Sequence, residues 1–450
     1  MKSCVAVILT CLVASTRGAA TLKAPQSVEE QCRQAQELLR AGKYQMALEA
    51  AEHALAINPE SAEAEHLAGD SALGLDDLAG AEAHFRRALE LAPGRVDALM
   101  DLMDAQLRLK RVDQAAVTLT AIERQLGEHD PRRGHVAELL VERGAYGLAV
   151  QEFEALYRDD PRSYEISYDL ALAYHRAGKY ARASRFLQDL LAHKDSAELE
   201  DLLGEVEQSR GSTTTSLAAF RRAVELDSEN ENYRLHLGQA LVNYGSLNEA
   251  VRVFAAAAKD LPHSSQMWMA WGGTLYLLGR FTDSAEKLLH AAEIAPQDPR
   301  VYFLLGRAYG AAGPFRDAIA KQFGRHVIET PNDAWAQYFY GRILAEESSQ
   351  HSSGNLDDAQ RYVERAIALD GSLSEAHAEL GSILDTRGQL DAARRELEQA
   401  TKLDPNSSIA FYRLAHVYQE LGQKEQARAA IAKFQRLKNE KNRSPEPKAD

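Results

Sequence analysis

The chain has 450 residues, a formal charge of −14 and 45% apolar residues, with aromatics at only 7%. One core of that size would be unusual, so several domains or a repeat array are expected. The acidic balance speaks against duplex nucleic acid as a main partner, because phosphate contacts need clustered Lys and Arg. The abundance of Ala, Leu, Glu, Arg and Gln, without long Val/Ile/Thr runs, points to helices.

Residues Met1–Ala20 read as a secretory signal. Lys2 supplies a short positive start, Cys4–Ala14 is nearly all apolar, and Gly18-Ala19-Ala20 offers small residues for cleavage after Ala20. The expected location is therefore periplasmic or secreted. Cleavage leaves Cys32 alone, which excludes an intramolecular disulfide. No later apolar run is long enough to cross a membrane, so no membrane span is expected in the mature chain. Residues 21–27 read as a linker.

From Val28 onward one pattern returns every 34 residues or so, and it is plainest in Ser374–Ser407. There, Leu380, Gly381 and Leu384 share one face of a first helix, since residues three and four apart are neighbours. Gly388 ends that helix. Leu390, Ala393, Leu397 and Ala400 form an apolar stripe on a second helix, and Pro405 stops it. Numbering Ser374 as position 1 puts Gly381 at position 8, Ala393 at 20, Ala400 at 27 and Pro405 at 32.

The same ruler lays along the chain. Ser27-Val28-Glu29-Glu30 is a capping box that opens repeat one, Val28–Ser61. Repeat two is Ala62–Arg95, with Gly69, Ala81, Phe85 and Pro93. Repeat three, Val96–His129, is degenerate, with Met103 at the glycine position. Repeat four, Asp130–Ser163, starts weakly and recovers at Gly144 and Phe153. Repeats five to nine begin at Tyr164, Ala197, Glu231, Ser265 and Pro299. Repeat eight places Gly272 and Ala285 at the crossing of its two helices. Repeat ten, with Tyr340, Gly341 and Leu344, carries about six extra residues in a loop within 347–354. Repeat twelve, from Ser408, presents Glu425, Arg428, Lys433 and Arg436 outward on its last helix, the polar face a terminal repeat needs. Residues 442–450 read as a disordered tail.

The pattern L-G-x-x-L, then G-x-L/Y, A, F/L, A and P resembles the tetratricopeptide repeat. The resemblance covers residues 28–441, about twelve repeats. It implies an all-α fold, a right-handed superhelical solenoid of stacked helix-turn-helix units. It also implies a concave groove, lined by positions 2, 5, 9 and 12 or 13 of each first helix, where partner segments bind.

Nothing in the sequence has the spacing of a catalytic or cofactor site. There is no Gly-rich phosphate loop, no Cys pair at metal spacing and no H-E-x-x-H. The expectation is thus no enzyme, no catalytic residue, no metal and no cofactor. His66, His175 and His416 occur singly on first helices and read as solvated; Asp76-Asp77, Asp159-Asp160 and Asp357-Asp358 fall at turns, where Asp starts helices. In the front half the groove positions are acidic: Glu63, Asp70, Asp97, Asp104, Glu138, Glu142, Glu165, Glu198, Asp201 and Glu205, against Arg108 and Arg176. Later they become aromatic and basic: Met269, Tyr276, Arg300, Phe303, Arg307, Trp335, Tyr338 and Arg342. Aromatics and Arg are enriched at binding hot spots. The Lys and Asn of the family's carboxylate clamp occur together in no repeat, so chaperone-tail binding is not implied.

The expected function is a non-enzymatic protein–protein interaction scaffold outside the cytoplasm, taking a protein or peptide segment, acidic with an apolar anchor, in the later groove. Two other readings stand beside it: a polysaccharide-binding or export scaffold, and a cytosolic enzyme regulator. Export has a direct check. N-terminal sequencing of the mature protein should begin near Thr21, and an intact Met1 in a soluble cytosolic fraction would rule it out.

Overall fold

A computed structural model describes residues 27–127, 129–350 and 356–443. The expected signal segment with its Ala20 cleavage site, residues 21–26 of the linker, part of the repeat-ten insertion and the end of the tail lie outside the described residues. Among the described residues the regular structure is helical, with twenty-four α-helices and two short 3-10 segments. The chain divides into two compact units at Lys179/Tyr180, which separates the two helices of repeat five. The first unit runs from helix Val28–Arg40 to helix Tyr164–Arg176, and the second from Tyr180–Leu191 to Lys424–Arg443.

The two helices of a repeat pack on each other in repeats one to four, six to eight and ten to twelve. Side-chain volume at two positions sets how closely they do so. A Cβ added at Gly204 would lie 2.5 Å from the Phe220 ring, and one at Gly272 would lie 2.7 Å from Leu288 Cγ. Position 8 therefore faces position 24. Other repeats fill position 8 with a larger buried residue, such as Met103 in repeat three and Ala35 in repeat one, and their position 24 is the buried Leu119 and Ala51. In repeat eight the residue facing Gly272 from the second helix is Leu288, with the Ser284 carbonyl at 3.2 Å from the added Cβ. Ala285, expected at this crossing, is buried but one residue out of register.

Repeat four also ties its helices with a polar pair. Its weak start reflects Arg133, which donates from Nε and Nη2 to Glu152 at 2.8 and 3.0 Å. Both side chains are buried. A bidentate ion pair thus occupies positions 4 and 23, the positions that pair Glu65 with His84 in repeat two and His377 with Glu396 in repeat eleven, each at 2.7 Å.

The turn between the helices also repeats. Position 15 takes a left-handed backbone in eleven repeats, the turn of the tenth lying outside the described residues; in nine it is a glycine, for example Gly279 at φ 73°. Repeats two and three place Asp76 (φ 64°) and Lys110 (φ 61°) there instead. At the helix starts, Ser27 Oγ accepts from the Glu30 amide at 3.3 Å, and Asp77 Oδ1 accepts from the Gly80 amide at 3.0 Å.

Two expectations change. The insertion of repeat ten is not all loop: its first helix continues through Ala334–Gln350, a turn longer than the 13-residue first helices elsewhere, such as Ser265–Leu277. On the last helix Glu425, Arg428 and Arg436 are exposed, but Lys433 is half-buried, its ammonium 5.8 Å from the centre of the Phe411 ring.

First helices also touch the next first helix from repeat one to repeat three and from repeat six to repeat twelve. That contact brings positions 2, 5, 6, 9 and 12 of successive repeats onto one face.

Substituting Gly272→Leu should cost at least ~1–3 kcal/mol by overpacking. Contacts run mainly between neighbouring helices, so hydrogen exchange should rise first in repeats seven to nine and last near Gly42. Uniform loss of protection would contradict that organisation. Lys110→Gly should stabilise the first unit by up to about 1 kcal/mol, because a non-glycine residue carries a left-handed penalty of that order. Slower exchange in helices Val96–Arg108 and Val112–Gln125 would show it.

Candidate functional site

A concavity lies on the first-helix face of the second unit. Helices Glu231–Asn243, Ser265–Leu277 and Pro299–Ala308 place their position-5 side chains, Leu235, Met269 and Phe303, on the wall of one cavity of about 980 Å³. Val242, Tyr276, Leu277 and Leu304 extend the apolar lining, and Trp335 of the next first helix closes one end. Trp335 meets Phe303 edge to face at 5.0 Å and lies nearly parallel to Phe339 at 5.7 Å. Aromatic pairs at these separations are held in fixed relative orientation.

Of the eight expected groove residues, the structure brings Met269, Tyr276, Arg300, Phe303, Arg307 and Trp335 to this cavity. The other two, Tyr338 and Arg342, stand elsewhere. Tyr338 is only 6% exposed, wedged 4.9 Å from Phe339, and burial pushes its phenol up from the usual range. Arg342 donates from Nη2 to the Gly306 carbonyl at 2.6 Å, and its guanidinium lies 5.2 Å from the centre of the Phe339 ring.

The cause of both displacements is an irregularity at repeat nine. Its first helix stops at Ala308 and passes into 3-10 turns. The bare Cα of Gly306 receives Phe339 from the next repeat, where other repeats receive their own position-24 side chain. Phe339 therefore pulls its neighbours on helix Ala334–Gln350 inward, and Arg342 becomes a tie between repeats.

Charge is distributed unevenly here. Arg300 is held by Asp298 at 2.6 Å. Arg307, by contrast, makes no ion pair among the described residues; it is exposed, with its guanidinium 6.0 Å from the Phe303 ring centre. Arg307 also lines a second, more polar cavity of about 540 Å³ together with Arg342, Glu346, Glu379 and Arg413. Both carboxylates there are engaged, Glu346 with Arg316 at 2.6 Å and Glu379 with Arg413 at 3.0 Å. Arg307 thus stands where an apolar and a polar cavity meet.

Sequence reasoning missed Leu235, His236, Gln239, Val242, Leu277 and Leu304, which also line the larger cavity. Position counting could have found Leu235, Gln239 and Val242, at positions 5, 9 and 12 of repeat seven, and Leu277, at position 13 of repeat eight. His236 and Leu304, at position 6, are reached only because successive first helices touch.

The acidic face of the first unit is less bare than its sequence suggests. Arg95, the last residue of repeat two, pairs with Glu63 at 3.1 Å and Asp97 at 2.8 Å. Arg143 pairs with Asp104, and Arg108 with Asp76 at 2.6 Å. Nor are the histidines simply solvated. His66 is buried, its Nε2 2.7 Å from Asp101 Oδ2, and His416 Nδ1 lies 3.1 Å from Asp385. Burial opposes the charge on His66, but the bond to Asp101 and the charges of Asp70 and Asp101 outweigh it and raise its pKa. Burial pushes Asp70 up to about 6.

Comparison with known families places this geometry. Profiles described as tetratricopeptide repeat match residues 72–133 and 140–206, 32–95 and 235–299, and 409–441, and one described as TPR repeat matches 386–422. Together they cover more than half of the chain. The chain belongs to the tetratricopeptide repeat family. A curated tetratricopeptide relative, the TPR repeat-containing protein YpiA of Bacillus subtilis (strain 168), is 22% identical over 243 residues, 53% of this chain and 56% of that protein. The match spans little more than half of the relative's length. Among solved structures, yeast Tom70 is 17% identical with 91% of each chain covered, at a TM-score of 0.38. The APC/C hetero-tetramer Cut9-Hcn1 is 14% identical, with 91% of this chain and 87% of that chain covered, at 0.38.

The raised Asp70 has a signed consequence. A carboxyl whose folded pKa lies near 6, against about 3.9 unfolded, contributes stability that is complete below about pH 4 and lost as pH rises through about 6. Asp70→Asn should therefore slow exchange in helix Ala62–Gly74 relative to wild type at neutral pH, with the advantage vanishing near pH 4. An advantage independent of pH would contradict the assignment.

Proposed function

We propose that this tetratricopeptide repeat protein is a non-enzymatic scaffold that works outside the cytoplasm and captures a partner protein through an acidic segment with an apolar anchor. The location rests on the sequence of Met1–Ala20. The observation that carries the binding mode is the ladder Leu235, Met269, Phe303, which ends beside Arg307.

The chemistry follows from that arrangement. An apolar partner side chain seated between Met269, Phe303 and Trp335 leaves water at about 25 cal/mol per Å² of buried surface. A carboxylate next to it meets Arg307, which can offer charge-assisted hydrogen bonds without first leaving a carboxylate among the described residues. The neighbouring cavity with Arg342 and Arg413 gives further acidic residues of the segment a direction in which to run. Arg342 also ties two repeats together, so Arg307 is the cleaner position to test.

Arg307→Glu should lose partner binding, most strongly at low salt, where charges are least screened. Trp335→Ala should weaken it by about 2 kcal/mol or more with little salt dependence, if the ring is a hot spot. Affinity purification from the native host would supply the partner, and circular dichroism would verify that the variants fold. The control is Glu138→Lys with Glu142→Lys in the first unit. Should that pair abolish binding while the folded Arg307 and Trp335 variants bind normally, the site lies in the other unit. Competition by a soluble polysaccharide, and not by peptide, would replace the protein partner with a sugar polymer.

A further inference from the structure

Away from the apolar ladder, one constellation occurs twice. In the first unit His66 and Asp70, one turn apart on helix Ala62–Gly74, meet Asp101 of the next first helix. In the second unit Asp201 and Glu205, one turn apart on helix Ala197–Ser209, meet His236 of the next first helix. Each residue of the second trio lies 135 positions after its counterpart in the first. The register is therefore the same, positions 5 and 9 of one repeat and position 6 of the next, with the imidazole and one carboxylate exchanged. In both trios one donor atom from each residue lies within 4.8 Å of the others.

The first trio is closed to a metal by an arginine on the other side of its imidazole: Asp70 and Asp101 face Nε2, and a guanidinium donating to Nδ1 keeps the ring proton on Nε2, where a metal would need the lone pair. Arg95 Nη2 is 2.9 Å from His66 Nδ1, and the same guanidinium pairs with Glu63 and Asp97. In the second unit the residue 135 positions after Arg95 is Asn230, and the one after Asp97 is Asn232. Asn230 spends its side-chain oxygen on the Asn232 amide at 3.0 Å. The carboxylate corresponding to Glu63 persists as Glu198. The second constellation has thus kept the trio itself, while Arg95 and Asp97 are each replaced by asparagine.

We propose that Asp201, Glu205 and His236 form a binding site for a divalent transition-metal cation of the zinc or cobalt class. An imidazole and two carboxylates are ligands such ions accept, with further positions left to water or to a partner's donor. Ligands about 2.1 Å from one ion stand about 3–4 Å apart, so the three donors need only a small contraction. His236 Nδ1 now lies 3.0 and 2.9 Å from the two Asp201 oxygens. The cation takes the place of the proton in that contact, and the proton is released to solvent. His236 also lines the apolar cavity, which puts the metal beside the groove without making it part of the anchor site.

The test uses the full chain, freed of metal by a chelator and titrated with Co²⁺ alone, read by calorimetry and by the visible ligand-field spectrum. One equivalent should bind. His236→Gln should weaken it by more than about tenfold, since even changes outside a metal's own ligands cost 10–100-fold. Asn230→Arg removes no ligand and rebuilds the arrangement around His66; it should abolish the site. The reciprocal Arg95→Asn should add a second equivalent, lost again on adding His66→Gln. Circular dichroism separates loss of binding from loss of fold. Absence of Co²⁺ binding by the wild-type chain overturns the proposal, leaving His236–Asp201 as a hydrogen bond between repeats. Binding that survives both His236→Gln and Asn230→Arg overturns it equally, by placing the metal elsewhere.

Discussion

The close approach of the two helices within a repeat is the constraint from which the rest follows. Where position 8 is glycine, the facing ring or leucine at position 24 reaches almost to the backbone, as Phe220 does at Gly204 and Leu288 at Gly272. That approach fixes the hairpin, and the hairpin fixes which stripe of the first helix remains outside. Because first helices also touch one another, the outside stripes join into a face. Function on this chain is a matter of what the joined face carries.

The regular repeat makes the face, but an irregular one makes the larger cavity. At repeat nine the first helix ends early, and Gly306 accepts Phe339 from the following repeat. The same event buries Tyr338, ties Arg342 to a carbonyl and sets Trp335 against Phe303 at the end of the cavity. Aromatic side chains that would each be a small exposed patch become one preorganised wall, and rigid walls lose less entropy on binding than mobile ones.

Charge on the face is governed by a residue that does not belong to it. Arg95 ends repeat two and immediately precedes a first helix, yet it reaches Glu63, Asp97 and His66 and balances that part of the acidic front. Its counterpart Asn230 does not carry a charge. A single exchange at the end of a repeat can therefore change the electrostatics of a face built by the residues around it, with no alteration to the face itself.

How much of this was legible beforehand depends on the range over which each interaction acts. Helix existence, the turn position and the phase of the repeats follow from contacts three or four residues apart and from one glycine per turn, so the sequence alone determined them, together with the stripe on which Met269, Tyr276, Phe303, Arg307 and Trp335 lie. The register of Ala285 against Gly272 was misjudged by one residue because Ser284 and Ala285 are both small; only the crossing geometry separates them. The burial of Tyr338, the tie made by Arg342 and the two His–carboxylate trios depend on pairs of residues about 35 apart on different helices. No local pattern records such pairs. They are decided by how tightly one repeat sits on the next, a distance set by the bulk of side chains such as Phe339 and by the glycine that admits it.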